Sequence, residues 1–183
     1  MKNKPLIYLL IAVVAAAAVW LFERPDKPRN LSTVESFKLF KGFDPSKANK
    51  IVVAEIAGQT ELKSDGDIWK VINGDQADIA DLNKIKGALD AIADLETGSV
   101  ASINPSRQAE LQVGPSALQV IVYDEKDMKL AHLFIGKSGP DFMSTYVRKD
   151  CDDITYLANK VLIPIFSINP DSWKEKKTTV KKD

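Results

Sequence analysis

The side chains that most often carry out chemistry are scarce in this sequence, which holds one histidine and one cysteine. His132 stands between Ala131 and Leu133 in a strand-like stretch, and no partners for a catalytic triad or a histidine-based metal site are evident. A structural or surface histidine is therefore favoured. Cys151 lies in the run Lys-Asp-Cys-Asp-Asp, whose carboxylates disfavour the thiolate that a nucleophile needs.

Two further motifs invite a chemical interpretation, and both are weak. The acidic residues around Cys151 lack the alternating spacing of an EF-hand loop, so a solvated turn is favoured over a calcium site. Gly136-Lys137-Ser138 resembles a phosphate-binding loop, but the upstream glycine of that motif is missing. We therefore predict no catalytic residue, no metal site and no cofactor, and we expect a protein that is not an enzyme.

One apolar stretch near the C-terminus suggests a binding site. Residues 162–173 contain two prolines, so we expect their backbone to run irregularly over the surface. Core packing is the simpler interpretation of the apolar side chains, and a patch for a membrane or protein partner is the sharper one. The candidate partner-binding residues are Phe166, Trp173, Ile165 and Ile168.

A long amphipathic helix should help to position these residues. Apolar residues recur at a spacing of three or four from Ile79 to Leu95, which predicts a helix that covers one face of a sheet. Asp78 is expected to cap its N-terminus. Gly87 is expected to permit close contact between this helix and the sheet.

The rest of the domain is predicted to consist of short strands and short helices. Three strands should form an antiparallel meander, with Asp65-Gly66 as a hairpin signal. The prediction is an α+β fold of antiparallel meanders and hairpins, packed with the long helix and preceded by one N-terminal transmembrane helix. Strands are predicted over residues 50–57, 60–63, 68–72, 99–103, 117–123, 128–135, 143–148 and 154–157, and short helices over 105–111 and 158–163.

The first hydrophobic run, residues 6–22, holds seventeen residues without a charge. As a helix it would be about 25 Å long, slightly short of a hydrocarbon core of about 30 Å. A cleaved signal peptide is one interpretation, because residues 15–18 are alanines. An uncleaved signal-anchor is favoured, because the apolar run continues beyond those alanines. The signal-like start favours a cytoplasmic N-terminus and an exported domain.

Charge and length define the remaining organisation. The chain has 25 basic and 25 acidic residues, which gives no electrostatic footprint for nucleic acid. A single cysteine excludes an intramolecular disulfide. We predict a signal-anchor over residues 1–22, a linker over 23–38, a periplasmic domain over 39–173 and a Lys-rich disordered tail over 174–183.

Five short motifs, in their order and spacing, suggest a family. They are residues 39–44 (LFKGFD), 109–113 (AELQV), 134–137 (FIGK), 146–148 (YVR) and 155–157 (TYL). Together they resemble the bacterial domain-of-unknown-function 4340 family, over roughly residues 39–165. The family usually has Gly-Leu where this chain has Gln112-Val113, so that turn is expected to differ.

The resemblance implies an envelope protein with one N-terminal helix, and related domains accompany ABC-type transport systems, including the gliding-motility type. It carries over no catalytic residue. We therefore expect a single-pass protein of the bacterial inner membrane, with its domain in the periplasm or outside the membrane. It would act as an accessory module that binds the bilayer through its helix and a membrane or envelope protein through its domain. A small-ligand-binding domain and a hydrolase of envelope material, using acids such as Asp65, Asp67 or Asp141, are the alternatives.

Overall fold

The computed structural model describes residues 36–176, all within the compact unit Thr33–Asp183. Over these residues the chain forms one sheet of ten antiparallel strands and one α-helix, α1, over Leu82–Ala93. The strands stand in the order β1-β6-β10-β9-β8-β7-β2-β3-β4-β5. Their bounds are β1 Phe37–Lys38, β2 Lys50–Glu55, β3 Gly58–Asp65, β4 Ile68–Asn73, β5 Gln76–Ile79, β6 Glu96–Ser102, β7 Leu118–Tyr123, β8 Lys129–Ser138, β9 Thr145–Lys149 and β10 Thr155–Ala158.

The predicted meander is confirmed as β2, β3 and β4. Strand alternation buries every second residue, so Ile51 and Val53 face the core from β2. Leu62 pairs with Val71 on β4, and both side chains are fully buried. The hairpin between β3 and β4 turns at Gly66, which has a φ of 65° that glycine adopts without steric cost.

The long helix exists, but it is shorter than predicted. Asp81 is its N-cap, because the carboxylate accepts hydrogen bonds from the backbone N–H of Asn83 at 3.0 Å and of Lys84 at 3.4 Å. Asp78 and Ile79, predicted to start the helix, lie in β5 instead. The buried face of the helix consists of Ile85, Ala88, Leu89, Ala91 and Ile92.

The predicted contact between Gly87 and the sheet is wrong. Gly87 is exposed, and a Cβ atom built on it would meet no atom within 4 Å. The close approach of backbone occurs at Gly136 in β8, where a Cβ would lie 2.3 Å from the carbonyl oxygen of Leu111. The backbone N–H of Lys137 donates to that same oxygen at 3.3 Å. Gly136 and Lys137 therefore let the backbone at Leu111 pack directly against β8.

The sheet carries a large and a small apolar cluster on opposite faces. Leu133 and Ile135 belong to the main core with α1, whereas Phe134 between them points the other way. The smaller cluster forms where the chain between β6 and β7 crosses the second face. Its buried members are Leu111, Val113, Ala117 and Phe134.

The predicted α+β fold class is wrong, because the structure is mostly antiparallel β-sheet with one α-helix in its described part. The helix predicted over residues 105–111 is a single 3-10 turn at Pro105–Arg107, and residues 158–163 form no helix. The predicted transmembrane helix lies outside the described residues. Within residues 36–176, no helix is long and apolar enough to cross a membrane.

Two predicted boundaries also need correction. The sheet begins at Phe37, inside the predicted linker, where β1 pairs with β6. Lys174, predicted to begin the disordered tail, forms an antiparallel bridge with Ala80. Its ammonium group lies 2.8 Å from carboxylate oxygens of both Asp78 and Asp171. Residues 177–183 of the predicted tail lie outside the described part of the chain.

Candidate functional site

A groove runs between α1 and the C-terminal segment, which we define as residues 162–173. Its volume is about 740 Å³, and we call it the helix groove. Lys84 and Gly87 line it from α1, one helical turn apart on the same side of the helix. The residues that line it from the other side are Lys160, Ile163, Pro164, Ile165, Phe166, Ser167, Ser172 and Trp173.

The groove's inner wall contains two of the predicted partner-binding residues, but these are core residues. Phe166 is 3% exposed and Trp173 is 2% exposed. The indole N–H of Trp173 donates to the carbonyl oxygen of Ser167 at 2.8 Å, and the backbone N–H of Asp81 donates to the Trp173 carbonyl oxygen at 2.8 Å. The expectation that Phe166 and Trp173 form an open surface is therefore wrong.

The other two predicted residues are half-buried. Ile165 lines the groove, whereas Ile168 lies outside it and packs against the main core. The carbonyl oxygen of Ile168 accepts a hydrogen bond from the Thr60 hydroxyl at 2.6 Å, which fixes this part of the segment on β3. The structure brings three of the four predicted residues to one groove, and their role in binding a partner stays a prediction.

Lys84 and Lys160 give the groove a positive rim. The ammonium group of Lys84 donates to the carbonyl oxygen of Ser172 at 2.6 Å, which ties the helix to the C-terminal segment. Within residues 36–176, neither lysine forms an ion pair. The groove therefore combines an apolar wall with two lysines and no acidic lining residue.

His132 lies elsewhere, on the second face of the sheet, in a polar cluster that the sequence did not reveal. Its Nδ1 atom is 3.0 Å from Asp150 Oδ2, and its Nε2 atom is 3.1 Å from Gln119 Oε1. The ammonium group of Lys129 is 2.8 Å from the same Asp150 oxygen. The ring also stacks on Phe134 at a centroid distance of 4.8 Å. Both ring nitrogens have partners, and a nearby nucleophile is not among them.

The charges of this cluster shift its titration. Burial lowers the pKa of His132 below its ordinary value, and the Asp150 carboxylate opposes that effect. Hydrogen bonding from Lys129 lowers the pKa of Asp150 to about 2. The guanidinium carbon of Arg148 lies 4.0 Å from the centroid of the Phe134 ring, on which His132 also stacks. The Arg148 Nε donates to the carbonyl oxygen of Val113 at 2.9 Å. The arrangement holds the crossing chain on the sheet.

The structure separates Asp141 from the other two acidic residues considered for hydrolysis. Asp65 pairs with Lys70 at 2.5 Å in the hairpin between β3 and β4, and Asp67 lies in the same hairpin. Asp141 belongs to the loop between β8 and β9, at the opposite end of the sheet. Over residues 36–176, no group of three or more His, Cys, Asp or Glu side chains is placed to hold a metal ion. Cys151 is exposed.

Sequence reasoning missed the most exposed apolar side chains. Phe142 and Met143 lie in a stretch predicted as a loop leading into a strand, and they are 79% and 70% exposed. Ile56, in the turn between β2 and β3 at the same end of the sheet, is 84% exposed. The signal available in the sequence was two large apolar residues directly after the loop sequence Gly-Pro-Asp.

Comparison with known families gives one match. The sequence model of a family described as a domain of unknown function (DUF4340) matches residues 69–181. The chain belongs to this family. The match covers the later motifs of the resemblance and leaves out residues 39–44. Gln112 has a φ of 58°, a left-handed conformation that the family's usual glycine adopts readily. No curated protein and no solved structure matches the chain.

Proposed function

We propose that this protein is a non-enzymatic accessory module of the bacterial envelope. A helix over residues 6–22 would hold it at the inner membrane, with the domain in the periplasm or outside the membrane. The helix groove would bind an apolar segment of an envelope protein partner. A component of an ABC-type transport system is the partner class that the family resemblance suggests.

The observation that supports this proposal is the open groove wall at Gly87. Glycine in the interior of a helix is destabilising by roughly 0.5–1 kcal/mol relative to alanine. Nothing in the described structure requires glycine here, since a Cβ would meet no atom within 4 Å. The missing side chain leaves the groove open between Lys84 and the C-terminal segment. A binding role gives this costly residue a reason.

The chemistry of the groove favours a particular kind of segment. Phe166 and Trp173 form its buried inner wall, and Ile163, which is 43% exposed, gives it an accessible apolar side chain. Lys84 and Lys160 stand at the rim, and none of the residues that line the groove is acidic. An apolar segment that carries an acidic residue would satisfy both features.

Blocking the groove tests the proposal. Gly87→Trp should fill the groove while keeping or raising the melting temperature, because tryptophan has a better helix propensity than glycine. A photo-reactive phenylalanine in place of Ile163, which lines the groove and is 43% exposed, should crosslink one defined envelope protein in native membranes. Gly87→Trp should remove most of that crosslinked product. Mass spectrometry of the product identifies the partner.

Asn83→Trp is the matched control, because Asn83 is an exposed α1 residue outside the groove lining. It should leave the crosslinked product intact. Equal crosslinking by both tryptophan variants would contradict a role of the groove.

A volume of about 740 Å³ also lies within the range of about 300–1,000 Å³ for small-molecule pockets. If an apolar small molecule copurifies with the protein and is lost only in Gly87→Trp, the groove binds a small ligand and not a protein segment.

A further inference from the structure

The loop between β8 and β9, residues 139–144, projects two large apolar side chains into solvent. Phe142 is 79% exposed and Met143 is 70% exposed. Phe142 also has a φ of 58°, in the left-handed region that a bulky residue rarely adopts. The fold gains little burial from either side chain. A strained and exposed aromatic residue at a loop tip therefore calls for an explanation outside the folded domain.

The loop is held in this shape by internal hydrogen bonds. One carboxylate oxygen of Asp141 accepts from the backbone N–H of Met143 at 3.1 Å and of Ser144 at 3.0 Å, and from the Ser144 hydroxyl at 2.5 Å. The backbone N–H of Phe142 donates to the carbonyl oxygen of Gly139 at 3.1 Å. Because Ser144 is 2% exposed, the base of the loop is anchored in the fold. The two apolar side chains are thus presented on a fixed support.

The length of the segment before the first described strand would allow the loop to reach a bilayer. Phe37, Thr97, Ala158, Thr145 and Ser138 form one row of paired residues across β1, β6, β10, β9 and β8. Four strand spacings of about 4.8 Å separate the first described strand from the loop base by about 20 Å. The thirteen residues 23–35 can span at most about 45 Å. A domain tethered to a bilayer by this segment can therefore touch it with the loop.

We propose that Phe142 and Met143 insert into the interfacial region of the lipid bilayer. This inference rests on the proposed membrane anchoring. A projecting two-residue tip fits a lipid interface, where apolar groups sink about 5–10 Å. Protein interfaces instead concentrate their energy in well-packed pockets surrounded by a broad contact area. The contact would fix the orientation of the domain relative to the membrane.

Site-specific fluorescence on the full chain tests the insertion. The full chain carrying Cys151→Ser is reconstituted into vesicles of phosphatidylcholine and phosphatidylglycerol. Phe142→Cys, Met143→Cys or Met128→Cys is then labelled with an environment-sensitive dye. Met128 is the matched control, since it is 63% exposed in the turn between β7 and β8, at the opposite end of the sheet. Labels at positions 142 and 143 should emit at shorter wavelength and lose intensity with nitroxide-labelled lipids, and the label at 128 should do neither.

Flotation of the same samples separates the two proposals. A chain that floats with the vesicles while its labels at 142 and 143 stay fully quenched by aqueous iodide would overturn loop insertion and leave anchoring intact. A chain that does not float would overturn both. The labels at 142 and 143 could be protected from iodide in native membranes but not quenched by nitroxide lipids in the vesicles. That result would assign the loop to a protein partner and overturn the lipid proposal.

Discussion

Two neighbouring irregular segments treat their large apolar side chains in opposite ways. The C-terminal segment buries Phe166 and Trp173 in the main core, whereas the loop of residues 139–144 exposes Phe142 and Met143. The two segments are adjacent, because the backbone N–H of Leu162 donates to the hydroxyl of Thr145, the residue that directly follows the loop, at 3.1 Å. Both lack regular secondary structure over most of their length. Hydrophobicity alone therefore does not decide which segment is covered.

The difference lies in where the backbone polar groups find their partners. The C-terminal segment bonds outward to the rest of the fold, since Thr60, Lys84 and the backbone of Asp81 all bind its carbonyl oxygens. These bonds let an irregular backbone lie against the core without unpaired groups. The loop satisfies its groups internally, largely through Asp141. It can stand away from the sheet, and its apolar side chains remain outside.

The largest expected effect tests this contrast directly. Trp173→Ala should lower the free energy of unfolding by about 3–5 kcal/mol, the usual range for a buried aromatic residue. Phe142→Ala should change it by no more than about 0.5 kcal/mol, as for most exposed positions. Urea unfolding of both variants measures the two values. Similar losses would mean that the two segments do not differ in burial.

Two glycines extend the comparison to the backbone. Gly136→Ala should lower the free energy of unfolding by about 1–3 kcal/mol, because its Cβ would lie 2.3 Å from a backbone oxygen and 2.7 Å from Val113 Cγ1. Gly87→Ala should raise the free energy of unfolding by about 0.5–1 kcal/mol, because a Cβ at position 87 meets no atom within 4 Å and alanine favours a helix over glycine. Melting curves of the two single variants provide the check. A loss at Gly87 would show that the helix groove is closed in solution.

The loop at the other end of β9 is stabilised by charge, which predicts a pH dependence. Because the pKa of Asp150 is lowered to about 2, its stabilisation is present above about pH 4 and is lost as pH falls towards 2. Solvent screening at this one-third exposed carboxylate limits it to about 1 kcal/mol. Asp150→Asn should lower the free energy of unfolding by this amount at neutral pH and should not change it below about pH 2. Asp153→Asn should show the same stability as the unmodified protein at each pH. Unfolding curves across that range are the measurement.

The smallest expected effect concerns the loop tip itself. Phe142→Asn should leave the melting temperature unchanged or slightly higher, because asparagine tolerates a φ of 58° better than phenylalanine. The same variant should weaken the contact with lipid that we propose. Asp141→Ala tests the support of the loop instead of its tip. It removes the acceptor of the Met143 and Ser144 amides, so the hydrogen exchange of those amides should become faster. A marked loss of stability in Phe142→Asn would show that the aromatic ring is covered by the fold.

The sequence by itself determined the local elements of this protein. Apolar runs between turn signals located β2, β7 and β8 to within a few residues, and a spacing of three or four located Ile85, Leu89 and Ile92 on the buried face of α1. The order of the five motifs indicated the family that the match confirms. These features depend on residues close together in the chain, so a linear pattern records them.

Only the tertiary structure decided how these elements combine and which apolar side chains are covered. The pairing of β2 with β7, the single ten-stranded sheet and the position of Lys174 beside Ala80 join distant parts of the chain. Asp150 reaches His132 in the same way, across β8 and β9. Such contacts depend on which distant strands pair, whereas the alternation within one strand indicates only which of its faces is buried. For the same reason Trp173 is buried and Phe142 is exposed, although both follow a proline in an irregular stretch.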